Sequence, residues 1–214
     1  MTKPVTRAVI LSAGPVTPAV RRYIRPGDCI VACDAGYRHA ERLGVQPDLI
    51  VGDFDSAPRP PQTGHTIVLP HVKDDTDTQY AARWLAKHGF EEVVMLGALG
   101  GPRVEHMLAN LSTGLFLSLH GVRTILADSS SEMHYLLPGR PLELPRRDWM
   151  YLSLFALGAP LTGVFERGVY YPLENATLTE LDYPLGTSNE FTEPVARLQC
   201  SGGHGLVVLT RADG

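Results

Sequence analysis

The sequence lacks a cysteine framework, because its three cysteines cannot all pair and none has the CxxC spacing of a metal site. We therefore expect Cys29, Cys33 and Cys200 to be free thiols in a reducing compartment. The sequence also lacks an apolar run approaching the ~20 residues that cross a bilayer. Its first apolar run is too short for a secretory signal and predicts a strand instead. These absences predict a cytoplasmic protein with no membrane partner.

An excess of positive charge is also missing. The formal net charge is −4 at pH 7, which excludes the broad positive field of a nucleic-acid-binding protein, so we expect no nucleic-acid partner. Hydrophobic residues make up 44% of the 214 positions. That is ordinary globular composition, and the chain is long enough to bury a core in one large domain or two small ones.

Short apolar runs alternate with amphipathic stretches in the first part of the chain. The runs are rich in β-branched residues and bounded by Gly, Pro or Asp, which is typical of buried parallel strands. The predicted strands are residues 8–11, 29–33, 49–51, 66–69, 92–96 and 124–127. The predicted helices are residues 37–43, 77–88 and 104–120, each ending at or near a glycine. This alternation predicts an α/β domain over residues 1–134, with an open, mostly parallel sheet and flanking helices.

The sequence pattern changes after about Ser129. Prolines recur and long helical periodicity disappears. Residues 150–155, 168–171 and 206–209 have strand-like patterns, and Gly202-Gly203 indicates a hairpin turn. We therefore predict a small all-β domain over residues 135–214.

Acidic residues follow three of the predicted strands or open the next helix. They are Asp34, then Asp53 and Asp55, then Asp74, Asp75 and Asp77. Because the carboxyl ends of parallel strands share one edge of a sheet, these groups are expected to converge there. Two carboxylates ~5 Å apart repel by roughly 3 kcal/mol at an effective dielectric of ~20, so a gathered set either protonates some of its members or holds a cation. Oxygen-rich surroundings of this kind suit Mg²⁺.

A simpler role accounts for any one of these groups alone. Aspartate is common in the first turn of a helix, where Thr76 and Gln79 also form a T-x-x-Q capping box. The run from Gly52 to Ser56 also suits a turn. The recurrence of aspartates at successive strand ends is what favours the cation site.

A glycine-rich segment indicates a phosphate-bearing substrate. Gly97-Ala98-Leu99-Gly100-Gly101 follows a predicted strand and precedes a helix, where backbone N–H groups can approach an anion. A tight turn explains the segment equally well, since there is neither a GxxxxGK[ST] loop nor a full GxGxxG fingerprint. Arg103 and His106 follow one helical turn apart and suit a charged phosphoryl group, although His106 is also an ordinary residue for a helix start.

Together, these motifs resemble those of the thiamine pyrophosphokinase family. The matching segments span nearly the whole chain in order: residues 33–36, 47–56, 73–77, 97–106, 109–111, 168–173 and 187–191. The resemblance implies an α/β catalytic domain, a C-terminal β-sandwich, and a homodimer that binds thiamine at the subunit interface. It implies an enzyme that transfers diphosphate from ATP to the primary hydroxyl of thiamine, giving thiamine diphosphate and AMP.

The same resemblance implies roles for individual residues. Asp53, Asp55 and Asp77 would hold Mg²⁺ on the ATP phosphates. The nucleotide and its phosphates would be surrounded by Asp34, Lys73, Thr76, Arg103 and His106. Tyr171 matches the family's aromatic position for thiamine, and Ser188 and Asn189 match its polar thiamine-binding segment. Asp75 or Asp77 would accept the proton of the attacking hydroxyl.

Two departures from the family pattern bear on the substrate. The family usually has Gly-Arg-x-Asp-His, whereas this chain has an inserted Pro102 and Glu105 in place of the aspartate. Tyr170 also adjoins Tyr171. Pro102 and Glu105 keep two alternatives open: a related pyrophosphokinase acting on another primary alcohol such as a pterin, and a non-enzymatic nucleotide- or pterin-binding module. Separately, the Asp53-Phe54-Asp55 run leaves open a Mg²⁺-dependent phosphatase that uses Asp53 and Asp55 as a DxD motif.

Overall fold

A computed structural model describes residues 6–53, 65–68, 75–181 and 186–212 of the chain. The chain divides into two compact units, Met1–Ser129 and Ser130–Gly214. The sequence-based boundary after residue 134 falls inside the strand Ser131–Leu136, which lies wholly in the second unit. All three cysteines are among the described residues, and no disulfide joins them.

The N-terminal unit contains a parallel sheet in the order β4-β3-β2-β1-β5-β6. Its strands are β1 Arg7–Leu11, β2 Cys29–Cys33, β3 Leu49–Gly52, β4 His65–Val68, β5 Glu92–Leu96 and β6 Arg123–Ala127. β1 lies in the middle and has four consecutive buried residues, as expected for a strand covered on both faces. The predicted open parallel sheet is confirmed, with strand ends shifted by a residue at most where they are described.

Helices connect these strands. They are a 3₁₀ helix, Pro18–Tyr23, and the α-helices α1 Gly36–Arg42, α2 Asp77–Lys87 and α3 Val104–Leu119. Thr76 caps α2, because its hydroxyl oxygen accepts a hydrogen bond from the Gln79 N–H at 3.1 Å. The Gln79 side chain instead accepts from the Thr113 hydroxyl of α3 at 2.8 Å. Within the described residues, no helix is both long and apolar enough to cross a bilayer.

The residues that α3 buries are not the apolar residues that repeat along it at helical spacing. Met107, Leu108, Leu111, Leu115 and Leu119 recur at helical spacing and correctly predicted the helix. The buried positions are instead Asn110, Thr113, Gly114, Leu117 and Ser118. Small and polar residues therefore face the sheet and α2, whereas Leu108 and Leu119 are about half exposed.

The C-terminal unit is a β-sandwich, as predicted. One sheet pairs β7 Ser131–Leu136, β13 Gly205–Arg211 and β9 Trp149–Ala156, with β13 in the middle. The other has the order β11 Leu173–Leu178, β10 Leu161–Arg167, β12 Val195–Gln199 and β8 Leu142–Pro145. All these pairings are antiparallel, and one apolar cluster that includes Leu136, Val164 and Val207 fills the space between the sheets.

Two predictions about this unit are wrong. Residues 168–171 are not a strand but the link between β10 and β11, with an isolated bridge from Val169 to Phe191. Gly202-Gly203 does not close a hairpin, because β12 and β13 on either side belong to different sheets. Instead, Gly202 bridges to Thr162 of β10.

Candidate active site

A cavity of about 370 Å³ opens at the carboxyl ends of β1, β2 and β5. The N-termini of α2 and α3 also reach it, so the positive ends of two helix dipoles lie at the cavity wall. Its lining residues are 12–14, 33–35, 76–78, 97–98, 100–103, 106–107 and 109–110. This edge of an open α/β sheet is where ligands of such folds bind.

The cavity floor is formed by two turns whose backbones touch. Ser12 N–H donates to the Leu96 carbonyl and Gly14 N–H to the Gly97 carbonyl, both at 2.8 Å. A Cβ atom on Gly14 would lie 2.5 Å from the Gly97 oxygen, so no larger residue fits there without movement. Gly97 itself has φ +65°, which glycine adopts without strain. The glycines are therefore needed for close approach of the β1 and β5 turns.

Buried polar side chains brace the same floor. The hydroxyls of Ser12 and Thr78 lie 3.1 Å apart, which joins the β1 turn to α2. The Asn110 amide donates to the Ala98 carbonyl at 3.0 Å, which joins α3 to the glycine segment. The sequence reasoning missed the Ser12-Ala13-Gly14 turn. The sequence feature that could have indicated this turn is a run of small residues directly after an apolar strand.

Two of the predicted carboxylate residues line this cavity together, although they are far apart in sequence. Asp34 follows β2 with φ +48°, a conformation uncommon outside glycine, and its N–H donates to the Val51 carbonyl at 2.8 Å. Asp77 occupies the first position of α2. Strained non-glycine backbone is enriched at functional sites, which fits the position of Asp34.

The other predicted carboxylates are arranged differently. Asp53 directly follows β3, is half-buried and is not among the lining residues. Asp75 is also outside the lining, and its carboxylate pairs with the Arg83 guanidinium at 2.9 Å. Asp55, Asp74 and Lys73 lie outside the described residues.

The residues predicted to suit a phosphoryl group lie on the α3 side of the cavity. Arg103 and His106 both line it, and so does the inserted Pro102. The Arg103 guanidinium donates to the Glu105 carboxylate at 2.7 Å and lowers the pKa of that exposed carboxyl. Glu105, the departure from the family pattern, does not line the cavity itself, but it contacts Arg103, which does.

The donor chemistry of the cavity is compatible with Mg²⁺. Asp77, one of the predicted Mg²⁺ ligands, lines the cavity at the start of α2, and carboxylate oxygens are donors that Mg²⁺ prefers. Within residues 6–53, 65–68, 75–181 and 186–212, no group of three or more His, Cys, Asp or Glu side chains forms a metal site. The predicted ligand set includes Asp55, so it extends beyond those residues.

The C-terminal unit brings together the two segments that the sequence marked for thiamine. Tyr170 N–H donates to the Glu190 carbonyl at 2.9 Å, which ties the 168–172 link to the 187–191 segment. The rings of Tyr170 and Tyr171 are both about two-thirds exposed and meet edge to face with centroids 4.9 Å apart. Ser188 is exposed at φ +55°, whereas Asn189 is only 5% exposed.

The chain is similar to known proteins in both units. The profile of the thiamin pyrophosphokinase catalytic domain matches residues 20–126, and that of the thiamin pyrophosphokinase vitamin B1 binding domain matches residues 141–203. No curated protein sequence gave a match.

Solved structures match over almost the full length of the chain. Thiamine pyrophosphokinase from Bacillus subtilis has a TM-score of 0.86 at 21% identity, covering 97% of this chain and 100% of that one. A thiamin pyrophosphokinase family protein from Enterococcus faecalis has a TM-score of 0.79 at 29% identity, with the same coverage. Thiamin pyrophosphokinase from Candida albicans, at 15% identity, covers 97% of this chain and 90% of that one with a TM-score of 0.76. On the two profile matches, the chain belongs to the thiamin pyrophosphokinase family.

Proposed function

We propose that the protein transfers diphosphate from ATP to the primary hydroxyl of thiamine, giving thiamine diphosphate and AMP. The observation that carries the proposal is the cavity at the carboxyl edge of the parallel sheet. It combines touching glycine turns with two helix N-termini, two aspartates and an arginine, and all of these except the Ser12-Ala13-Gly14 turn lie within residues 20–126, which match the catalytic domain. The match of residues 141–203 to the vitamin B1 binding domain supports thiamine as the acceptor.

The nucleotide would occupy the cavity with its phosphates against the glycine segment and the start of α2. Backbone N–H groups at a helix N-terminus favour an anion there. Arg103 would offset charge on the transferring group, and Thr76 and His106 would flank the phosphates. Asp34 and Lys73 complete the proposed nucleotide-binding set.

Asp53, Asp55 and Asp77 would hold Mg²⁺. When bound, the ion would neutralise charge on the phosphate oxygens and orient them. Asp77 supports this assignment because it lines the cavity at the start of α2.

The reaction needs one bond made and one broken at the β-phosphorus. The thiamine hydroxyl oxygen would attack that phosphorus as the bond to the α–β bridging oxygen breaks, releasing AMP. Positioning and charge neutralisation would provide most of the acceleration. The hydroxyl proton would pass to a carboxylate. We favour Asp77 over Asp75 as that acceptor, because Asp77 lines the cavity whereas Asp75 pairs with Arg83. Since Asp77 would also hold Mg²⁺, the proton would pass to the carboxylate oxygen that does not bind the ion.

Thiamine would pack on Tyr171. An exposed tyrosine ring offers a π face to a cationic heteroaromatic ring, and a contact of that kind is worth about 0.5–2 kcal/mol. Ser188, exposed beside this segment, would contact the polar groups of thiamine. The active enzyme is proposed to be a homodimer with its sites at the subunit interface.

The proposal is tested by incubating the purified protein with ATP, MgCl₂ and thiamine, and quantifying products by chromatography. Equimolar AMP and thiamine diphosphate are expected, with neither formed when EDTA is added. AMP formed only with a different primary alcohol, such as a pterin, would support the related-pyrophosphokinase alternative that Pro102 and Glu105 keep open. Inorganic phosphate released from ATP without an acceptor would support the phosphatase alternative.

A further inference from the structure

The Asn189 side chain is used entirely inside the protein. Its amide oxygen accepts from the N–H groups of Tyr171 at 2.9 Å and Glu190 at 3.1 Å. Its amide nitrogen donates to the Tyr171 carbonyl at 2.9 Å and to a Glu166 carboxylate oxygen at 3.0 Å. Because the Tyr171 N–H can only donate, the amide oxygen must be the atom that faces it, which fixes the orientation of the amide.

Asn189 therefore holds the backbone of Tyr171 on both sides, as a neighbouring strand would. Its own backbone is fixed by two hydrogen bonds with Leu152 of β9, at 2.7 and 2.8 Å. With both amide protons and the oxygen engaged, and 5% of the residue exposed, Asn189 is poorly placed to bond a ligand directly. Its contribution to a site at Tyr171 is to hold that residue.

Glu166 provides the remaining acceptor for this amide. It lies on β10 with 1% of its surface exposed, next to residues of the apolar core such as Val164. Burial raises the pKa of its carboxyl to about 7, and the hydrogen bond from Asn189 acts in the opposite direction. A carboxyl group at such a position costs stability relative to an apolar side chain of similar size. What the carboxyl supplies in return is a partner for the second amide proton of Asn189.

We propose that Glu166 is a positioning residue for the thiamine subsite, acting through Asn189 to fix the backbone of Tyr171 beneath its exposed ring. This inference rests on the proposed function, because it takes thiamine to be the ligand of Tyr171. An ordered backbone lowers the entropy lost when a flat cationic ring settles on the tyrosine. Glu166 itself does not contact the ligand.

Three substitutions at Glu166 separate its hydrogen bond from its charge and its size. Glu166→Gln keeps an acceptor oxygen at the same place, Glu166→Asp withdraws it by one methylene, and Glu166→Leu removes it. Val164→Ala, on the same strand and fully buried, is the matched control for general loosening of the core. KM for thiamine, KM for ATP and kcat are measured for each.

We expect Glu166→Leu to raise the KM for thiamine about tenfold, which corresponds to roughly 1.4 kcal/mol. In this variant, KM for ATP should stay within about twofold of the wild-type value. For KM for thiamine, Glu166→Gln should stay near the wild type and Glu166→Asp should be intermediate. The Glu166→Asp variant keeps the test available if Glu166→Leu does not fold. Equal losses in Glu166→Gln and Glu166→Leu, or the same rise in Val164→Ala, would overturn the proposal.

Amide hydrogen exchange tests the inference apart from catalysis. The Tyr171 and Glu190 N–H groups should exchange faster in Glu166→Leu than in Glu166→Gln, because their acceptor is the Asn189 amide. If the wild type makes no thiamine diphosphate, the proposed function fails. If exchange at Tyr171 is the same in both variants, the positioning role fails even in an active enzyme.

Discussion

Asp77 and Asp75 are two residues apart but have different surroundings. Asp77 lines the cavity at the start of α2, whereas the Asp75 carboxylate pairs with Arg83. We expect Asp77→Asn to lower kcat by at least about a hundredfold, because it removes charge that the phosphoryl site needs, while the fold is kept. Asp75→Asn is the matched control and should change kcat by less than about fivefold. Steady-state AMP release checks both, and similar losses would contradict the different roles assigned to them.

The buried carboxyl of Glu166 predicts that the free energy of unfolding depends on pH. The pKa of its carboxyl is raised from an ordinary 4.5 to about 7, mainly by burial. A raised pKa means that folding favours the protonated form, so this contribution is complete below about 4.5 and is lost as pH rises through about 7. The wild type should therefore lose stability on the order of 2–3 kcal/mol between pH 5 and pH 8 relative to Glu166→Gln. Urea unfolding at both pH values measures this, and parallel pH profiles would contradict it.

At the scale of elements, the cavity depends on how closely the β1 and β5 turns approach. Gly14→Ala would place a Cβ atom 2.5 Å from the Gly97 oxygen, so the turns must separate. We expect a stability loss of about 1–3 kcal/mol and a several-fold rise in KM for ATP. Gly121→Ala is the control, because its φ of +90° makes alanine costly but nothing lies within 4 Å of the added atom. It should lose stability without changing KM for ATP.

The elements also show what local sequence pattern can and cannot predict. The strands and helices of the N-terminal unit follow from short apolar runs and the glycines after them, which are local signals. The buried face of α3 cannot be read from its leucines, because Asn110 and Thr113 on that face make hydrogen bonds to particular partners, Ala98 and Gln79. Residues 168–171 have strand-like composition, but their backbone bonds go to a segment about twenty residues later.

At the scale of the whole molecule, the sequence could predict the part of the site that lies at the carboxyl edge of the parallel sheet. The pattern predicted that the aspartates at the strand ends and at the start of α2 would converge, since parallel strands end on the same edge. Asp34 and Asp77 do line one cavity, whereas Asp53 and Asp75 lie outside its lining. The Ser12-Ala13-Gly14 turn was missed because small residues after a strand are common, and only the backbone contact with Gly97 gives this turn its role. The hydrogen bonds between the Asn189 side chain and the Tyr171 backbone depend on side-chain geometry that spacing does not encode.

The proposed homodimer with interfacial sites predicts complementation between inactive variants. Under that proposal, each active site would take Asp77 from one chain and Tyr171 from the other. Asp77→Asn should be nearly inactive alone, and Tyr171→Ala should lose up to about thirtyfold in kcat/KM for thiamine, the equivalent of about 2 kcal/mol. After unfolding and refolding together, half of the dimers would be mixed and one of the two sites in each would be intact, giving about a quarter of wild-type activity. Light scattering should show a mass about twice 23.3 kDa. A mixed dimer, verified by tagging one chain, with no more activity than its parents would contradict sites shared between subunits.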